Sequence, residues 1–378
     1  MYKKLLTSYY SGVTHGTFRR KEVADCHMNA LFHKDDDIEK KTILILKILN
    51  NEQKPVGSRL ISRFLKDYGI LLSERSVRYH LKLMDERGLT KLVDRRDGRI
   101  ITEKGVEEIG SARVHDKVGL AISRIENLAF RTTFDPKKKK GLVPVNISFI
   151  PKKYFIDALH AMVPAFDAGL CSSNLVSFAG EGGKLGEILV PKGKIGFATV
   201  CSVAINGVLL KNGIPMDSKF GGILQIQKET PLRFVELIYY SGSSLDPSEA
   251  FILGKMTSVL RTAKEGEGKI LANFREIPAI SRGIVEKLVS SLQETGIKGV
   301  LSIGKMSEPI CQIPVDVNKI GIILVGGLNP VACVQEMDIE IENHTMSTVM
   351  DYRDLVNFYE LLKKSNRELC NTEVISGI

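Results

Sequence analysis

Arg75, Arg78, Tyr79 and Lys82 fall at i, i+3, i+4 and i+7 of one segment. That spacing puts four donors on one face of a helix. An arginine so placed can hydrogen-bond guanine O6 and N7 in the major groove through both arms of its guanidinium. Further along, Arg95, Arg96 and Arg99 flank Asp97-Gly98, a dipeptide that favours a tight hairpin turn. A basic hairpin tip suits the phosphate backbone or the neighbouring minor groove, and such binding weakens with salt. A charge stripe alone is what a solvated helix face also looks like, so the elements around it must decide.

Those elements agree with one another. Ile43, Leu44, Leu46, Ile48 and Leu49 predict an apolar helix from Ile38, ended by Asn50-Asn51 before Pro55. Leu60, Ile61, Phe64 and Leu65 predict a second helix over Ser58–Tyr68, closed by Gly69. Ser73 is a good N-cap for a third helix running to Arg87, on which Val77, Leu81 and Met84 form a buried stripe. Ser76 joins the exposed face. Leu89–Val93 and Ile100-Ile101 then read as the strands of the hairpin. Three helices and a basic-tipped hairpin make a winged helix, expected over residues 37–111. Its charge fits: Ile38–Ile101 holds fifteen Lys/Arg against eight Asp/Glu, which is most of the chain's net +9. A basic module beside a nearly neutral one is the distribution expected of a DNA-binding head on a sensing body.

The remaining composition excludes several classes. Six scattered cysteines without a CxxC pair argue against a disulfide scaffold or zinc ribbon and suit a reducing cytoplasm. The longest apolar run, Ile320–Val334, is interrupted by glycines and a proline, so no membrane partner is expected. Residues 1–36 lack a signal-peptide layout and read as a flexible extension. Cys26, His27, His33 and His15 match no usual zinc spacing, so no metal is expected. No HExxH, GxSxG or phosphate-loop signature occurs, which leaves an enzyme as the weaker alternative.

A linker helix from about Val114 to Phe130 and a charged turn at Asp135–Lys140 (linker 112–141) lead to a body over 142–370 that repeats itself. NISFIP (Asn146–Pro151) matches NFREIP (Asn273–Pro278), 127 residues apart, and each precedes an amphipathic helix ending at Gly169 or Gly296. KIG recurs at Lys194 and Lys319, and Asn206-Gly207-Val208 matches Asn329-Pro330-Val331. The copies span about 142–265 and 268–370. The fold class is therefore an α/β (α+β) body with an internal pseudo-twofold duplication behind an N-terminal winged helix. A cleft between the halves is the expected ligand site. Cys201-Ser202 and Gly326-Gly327 follow the KIG strands, where backbone N–H groups can hold a carboxylate. Asn206 and Asn329 either cap the next helices or touch the ligand. Arg275 either pairs with Glu276 or another acid, or clamps a carboxylate with its planar fork. Asp246-Pro247-Ser248-Glu249 reads as a capping box.

TVCSVAINGVLLKNGIP (Thr199–Pro215), FGGILQI (Phe220–Ile226), LDPSEAF (Leu245–Phe251), NFREIPA (Asn273–Ala279) and GGLNPVACVQE (Gly326–Glu336) resemble the regulatory domain of the archaeal nitrogen-regulatory repressor family, NrpR. The winged helix and TTFDP (Thr132–Pro136) also match in order. The resemblance implies a cytoplasmic, homodimeric repressor of nitrogen-assimilation genes. It would bind double-stranded operator DNA through the winged helix, be released by the dicarboxylate effector 2-oxoglutarate, and need no cofactor. Some family members carry two regulatory domains in tandem and this chain carries one. That leaves open whether it acts with a second repressor subunit, or as a corepressor on a DNA-bound partner.

Overall fold

The computed structural model describes residues 41–50, 52, 54–67, 70–94, 97–111 and 120–364. The expected N-terminal extension, its Cys and His residues, and the wing-tip pair Arg95 and Arg96 lie outside the described residues.

The head opens with α1 (residues 41–50), whose Ile43, Leu44, Ile45, Leu46, Ile48 and Leu49 are all buried. α2 (Ser58–Asp67) buries Ile61 and Leu65. α3 (Glu74–Glu86) buries Val77, His80, Leu81 and Met84, the stripe expected from the spacing. Strands β1 (Thr90–Asp94) and β2 (Gly98–Ile101) form the antiparallel hairpin, with Thr90 opposite Ile101. Val56 adds a third, one-residue strand by exchanging both backbone hydrogen bonds with Arg99, at 2.9 and 3.1 Å. Gly98 is required there: its φ is +104°, and a Cβ would lie 2.2 Å from the Val56 carbonyl oxygen. A helix not foreseen in the sequence follows, α4 (Glu103–Ser111). Thr102 opens it by accepting from the Gly105 N–H at 3.1 Å.

The body begins with α5 (Leu120–Arg131), which realises the later part of the expected linker helix. Its elements are β3 (Leu142–Pro151), α6 (Phe155–Asp167), β4 (Leu175–Ala179), a small hairpin β5 (Lys184–Leu185) and β6 (Ile188–Leu189), β7 (Lys194–Val200), α7 (Val203–Lys211) and β8 (Asp217–Gln227). Next come β9 (Thr230–Tyr239), α8 (Pro247–Leu253) and α9 (Val259–Glu265). The second series is β10 (Gly268–Pro278), α10 (Arg282–Gln293), β11 (Val300–Met306), β12 (Lys319–Val325), α11 (Asn329–Glu336) and β13 (Glu342–Asp351). The order strand, helix, strand, strand, helix, strand thus occurs twice. The duplication holds at the level of single pairs. β3 meets β7 from Val145 opposite Val200 to Pro151 opposite Lys194, and β10 meets β12 from Ala272 opposite Val325 to Pro278 opposite Lys319.

The two copies also exchange a strand. One five-stranded sheet runs β11-β12-β10-β8-β9, the other β13-β3-β7-β4-β14, where β14 is Val356–Asn357. The last strand of each copy therefore completes the sheet of the other, and neither sheet is whole without both. One core spans them: Leu159 and Phe166 of α6 pack with Phe220 of β8, Phe274 of β10 and Val331 of α11.

Two local expectations need correction. The helix expected over about Tyr352–Lys364 is interrupted by a short 3-10 turn and β14, and only residues 358–364 are α-helical. The match of Asn206 with Asn329 is not a structural equivalence: α7 starts at Val203 and α11 at Asn329, so Asn206 lies a turn into its helix.

Candidate functional site

Arg275 sits in the middle of β10 and is 1% exposed. Among the described residues no carboxylate lies within ion-pair distance of it. Its guanidinium donates to the Ser218 hydroxyl and, at 3.3 Å, to the Ser202 hydroxyl, while Nε has no partner. The Tyr240 ring lies 5.9 Å from the guanidinium carbon. Burial holds the Arg275 pKa below its ordinary value. The pairing with Glu276 weighed from the sequence is absent, for a simple reason: consecutive residues of a strand point to opposite faces. Glu276 instead meets Lys219 Nζ at 3.2 Å and accepts from the Asp316 N–H at 2.9 Å.

A buried cation that lacks an acid costs free energy unless something else compensates it. Around Arg275 the direct contacts are polar and neutral. Tyr240 donates to Asn273 Oδ1, and Asn273 Nδ2 reaches Ser202 at 3.4 Å. These groups, with Asn146, Cys201, Gly327, Asp246 and Thr345, line a cavity of about 20 Å³, room for about one water molecule. The cavity lies on the seam of the duplication, because Asn146 and Asn273 are equivalent positions, as are Ser202 and Gly327. Asp246 is the one acid in the lining. Its Oδ1 accepts from the Ser248 N–H at 2.8 Å and so caps α8. Burial and the neighbouring Glu249 carboxylate raise its pKa to about 6. Glu249 does not close the expected capping box: it accepts from the Thr345 N–H and hydroxyl, both at 2.6 Å.

The seven candidate ligand residues therefore divide. Cys201, Ser202, Arg275 and Gly327 come together at the cavity. Gly326 does not face it, since a Cβ there would lie 2.5 Å from Leu271 Cβ. Asn329 clamps the Leu271 backbone, accepting from N–H at 2.8 Å and donating to the carbonyl at 3.0 Å. Asn206 donates to Ser218 at 3.1 Å, and its buried Oδ1 lacks a partner. It lines a separate cleft of about 480 Å³ between α5, α7 and β8. Two of the four amides expected to be free are also taken, Cys201 N–H by the Pro144 carbonyl and Gly326 N–H by Leu271. Each ladder simply runs one residue past its strand. Burial pushes the Cys201 thiol up to about 11, so it is no thiolate nucleophile. Asp246 was legible only as a cap; its place against Arg275 arises from the fold.

The cavity shares its wall with α5. Ala121, Ile125, Leu128 and Ala129 of α5 form one core cluster with Cys201, Val203, Tyr240 and Met346, all of which line the cavity on their other side. Arg124 also donates to the Thr345 carbonyl at 3.4 Å. α5 is the first described element after the head.

In the head, Arg75, Arg78, Tyr79 and Lys82 are exposed on α3, and Tyr79 is 62% exposed. Arg78 pairs with Glu74 at 3.5 Å and Lys82 with Glu86 at 3.9 Å, solvent-facing pairs that a phosphate or base can replace cheaply. Ser73 is exposed before α3 and Ser76 is half-buried on it. Arg99 is not a free wing residue. Its Nε donates to Asp85 Oδ2 at 2.7 Å, and Thr90 donates to Asp85 Oδ1 at 2.6 Å, which fastens the hairpin to the end of α3.

None of the described residues forms a group of three or more His, Cys, Asp or Glu able to hold a metal, and no described helix is long and apolar enough to cross a membrane. A family model described as "NrpR regulatory domains NRD1 and 2" matches residues 118–357, and one described as "Ribonuclease R winged-helix domain" matches residues 43–109. The chain is 41% identical over 321 residues to the global nitrogen regulator NrpRI of Methanosarcina mazei, covering 85% of this chain and 98% of that protein. It is 32% identical to the global nitrogen regulator NrpR of Methanocaldococcus jannaschii, covering 88% of this chain and 57% of that protein. A solved structure, a nitrogen repressor-like protein from Methanococcus jannaschii, superposes with a TM-score of 0.54 at 31% identity, over 63% of this chain and 98% of that one.

Proposed function

The chain belongs to the NrpR family of global nitrogen regulators, and from that premise we propose that it is a cytoplasmic, homodimeric repressor whose grip on operator DNA is released by 2-oxoglutarate bound at Arg275. α3 enters the major groove, where Arg75, Ser76, Arg78 and Tyr79 meet base edges and Ser73 and Lys82 meet phosphates. Arg95 and Arg96 are the sequence's further candidates for phosphate contacts. Arg99, tied to Asp85, holds the wing in place for them.

The observation that carries the effector reading is the buried guanidinium with no described carboxylate within ion-pair distance, set on the seam between the copies. A ligand carboxylate would supply the direct ion pair that Arg275 lacks, through the fork geometry that suits arginine. Ser202, Asn146 and Asn273 would hydrogen-bond the remaining oxygens. A five-carbon diacid is far larger than the present cavity, so it selects a more open form. Opening moves Cys201, Val203, Tyr240 and Met346, and these are also the seat of α5. The effector can weaken operator binding only by its preference for the open form, a coupling on the order of 1–3 kcal/mol in typical cases. A regulator rather than an enzyme fits a site whose thiol is protonated and in which no histidine takes part.

Titration calorimetry with 2-oxoglutarate tests the assignment. Arg275→Met keeps the length of the side chain and removes the charge. It is expected to abolish saturable binding while the circular dichroism spectrum stays unchanged. Unaltered affinity in a folded Arg275→Met protein would move the effector elsewhere.

A further inference from the structure

Arg275 and Asp246 are the two opposite formal charges lining the seam cavity; the other lining groups are neutral. The thiol of Cys201 and the phenol of Tyr240 are both shifted upward by burial and stay protonated near neutrality. If Asp246 is ionised, its charge cancels that of Arg275, and a diacid would bring two further negative charges into a buried site. If Asp246 is protonated, Arg275 offsets one of them and the carboxyl O–H becomes a donor. Like charges packed together favour that proton.

Resting on the reading of Arg275 as the effector site, we propose that Asp246 is the residue that selects the effector: it takes up one proton from solvent as the diacid binds, and donates it in a hydrogen bond to the carboxylate not held by Arg275. The ionised form would instead match an ammonium, so the same residue discriminates between a keto diacid and its amino counterpart.

The surroundings of Asp246 are consistent with this role. Burial and Glu249 on the same helix place its pKa at about 6, against the pull of the Ser248 and Glu249 donors. Arg275 faces it from β10, with Tyr240 at the end of β9 and Cys201 after β7. β8 presents Gly221, which packs on Pro247, and its Lys219 is held away by Asp217, Glu276 and Asp316. β13 presents Thr345 and Met346, while its His344 bonds Glu342 at 2.9 Å and Arg124 of α5 donates to the Thr345 carbonyl. Among the described residues that line the cavity, Arg275 is the one cation beside Asp246.

The sign follows from linkage. A pKa raised by the ligand makes binding strongest below the free value, about 6, and weaker as pH rises, by about tenfold per unit until the pKa of the complex is passed. Titration calorimetry of the full chain with 2-oxoglutarate at pH 6, 7 and 8, each in two buffers that hold that pH and differ in ionisation enthalpy, reads both the affinity and the protons exchanged. Wild type is expected to take up about one proton at pH 7 and above and to lose affinity steadily from pH 6. Asp246→Asn, which can still cap α8, is expected to bind with no proton uptake and a flat profile. Asp246→Ser, a second capping residue, is expected to behave the same way. Glutamate is expected to gain on 2-oxoglutarate as pH rises in wild type, and not in Asp246→Asn. Equal slopes and equal proton counts in wild type and both variants would overturn the proposal, as would glutamate failing to gain. The two readings fail separately: normal binding by Arg275→Met removes the site itself, whereas lost binding there with a pH slope surviving in Asp246→Asn removes only the role of Asp246.

Discussion

Asn146 and Asn273 stand at the same place in two copies of one strand pair, 127 residues apart, and both line a single small cavity. Their environments differ. Asn146 Oδ1 accepts from the Met346 N–H at 2.9 Å, whereas Asn273 Oδ1 accepts from the Tyr240 hydroxyl. Two positions on, the second copy has Arg275 where the first has Ser148, which donates to Asn343 at 2.7 Å. One half of the duplicated site thus kept a neutral pair and the other holds the cation.

Tyr240→Phe should leave Asn273 Oδ1 buried without its donor. The cost expected is about 1–3 kcal/mol of stability. Thermal unfolding followed by circular dichroism measures it, and an unchanged midpoint would mean that the hydroxyl is dispensable.

Gly98→Ala should destabilise the head. A Cβ would meet the Val56 carbonyl at 2.2 Å with φ at +104°, so the hairpin must shift or unpair. Hydrogen exchange is expected to rise at Val56 and Arg99 while the strands of the body keep their protection. Wild-type exchange across β1 and β2 would contradict this.

Arg78→Ala should weaken operator binding by about 1–3 kcal/mol if the side chain contacts a base, with little change in thermal midpoint because its Glu74 pair is exposed. Arg99→Ala should do the opposite in kind, lowering stability through the lost Asp85 contact. Gel shifts with the isolated operator, paired with melting curves, separate the two roles.

Asp246 should also mark the stability of the unliganded protein. Its folded pKa, about 6, lies above the usual 3.8, so its contribution is fully present below 3.8 and is lost as pH rises through about 6. Asp246→Asn is therefore expected to be more stable than wild type at pH 8, by about 2–3 kcal/mol at most. The advantage should fade by pH 4, and a difference independent of pH would contradict it.

How much of this was legible in the sequence depended on which residues carried the information. The winged helix was readable because Val77, Leu81 and Met84 bury one stripe while Arg75, Arg78 and Lys82 stay out. The duplication was readable because both copies keep Asn-x-x-x-Ile-Pro and Lys-Ile-Gly at edges that must pair in the same register. The strand exchange was not, since β8 and β13 share no motif and a five-stranded sheet can take its last strand from either copy. Pairing Arg275 with Glu276 overlooked the two-residue period of a strand. Asn206 and Asn329 looked alike in a short match, yet one lies inside α7 and the other opens α11. Asp246 carried a clear capping signal that hid its second setting beside Arg275, because burial is a property of the assembled copies.

Filling the Arg275 cavity is expected to loosen the head's hold on DNA. Titrating 2-oxoglutarate into a preformed operator complex, watched by fluorescence anisotropy, tests it most directly when wild type and Arg275→Met are compared. Both proteins are expected to bind the operator alike without effector, with 2-oxoglutarate dissociating only the wild type. Release of the Arg275→Met complex at the same effector concentration would contradict the account.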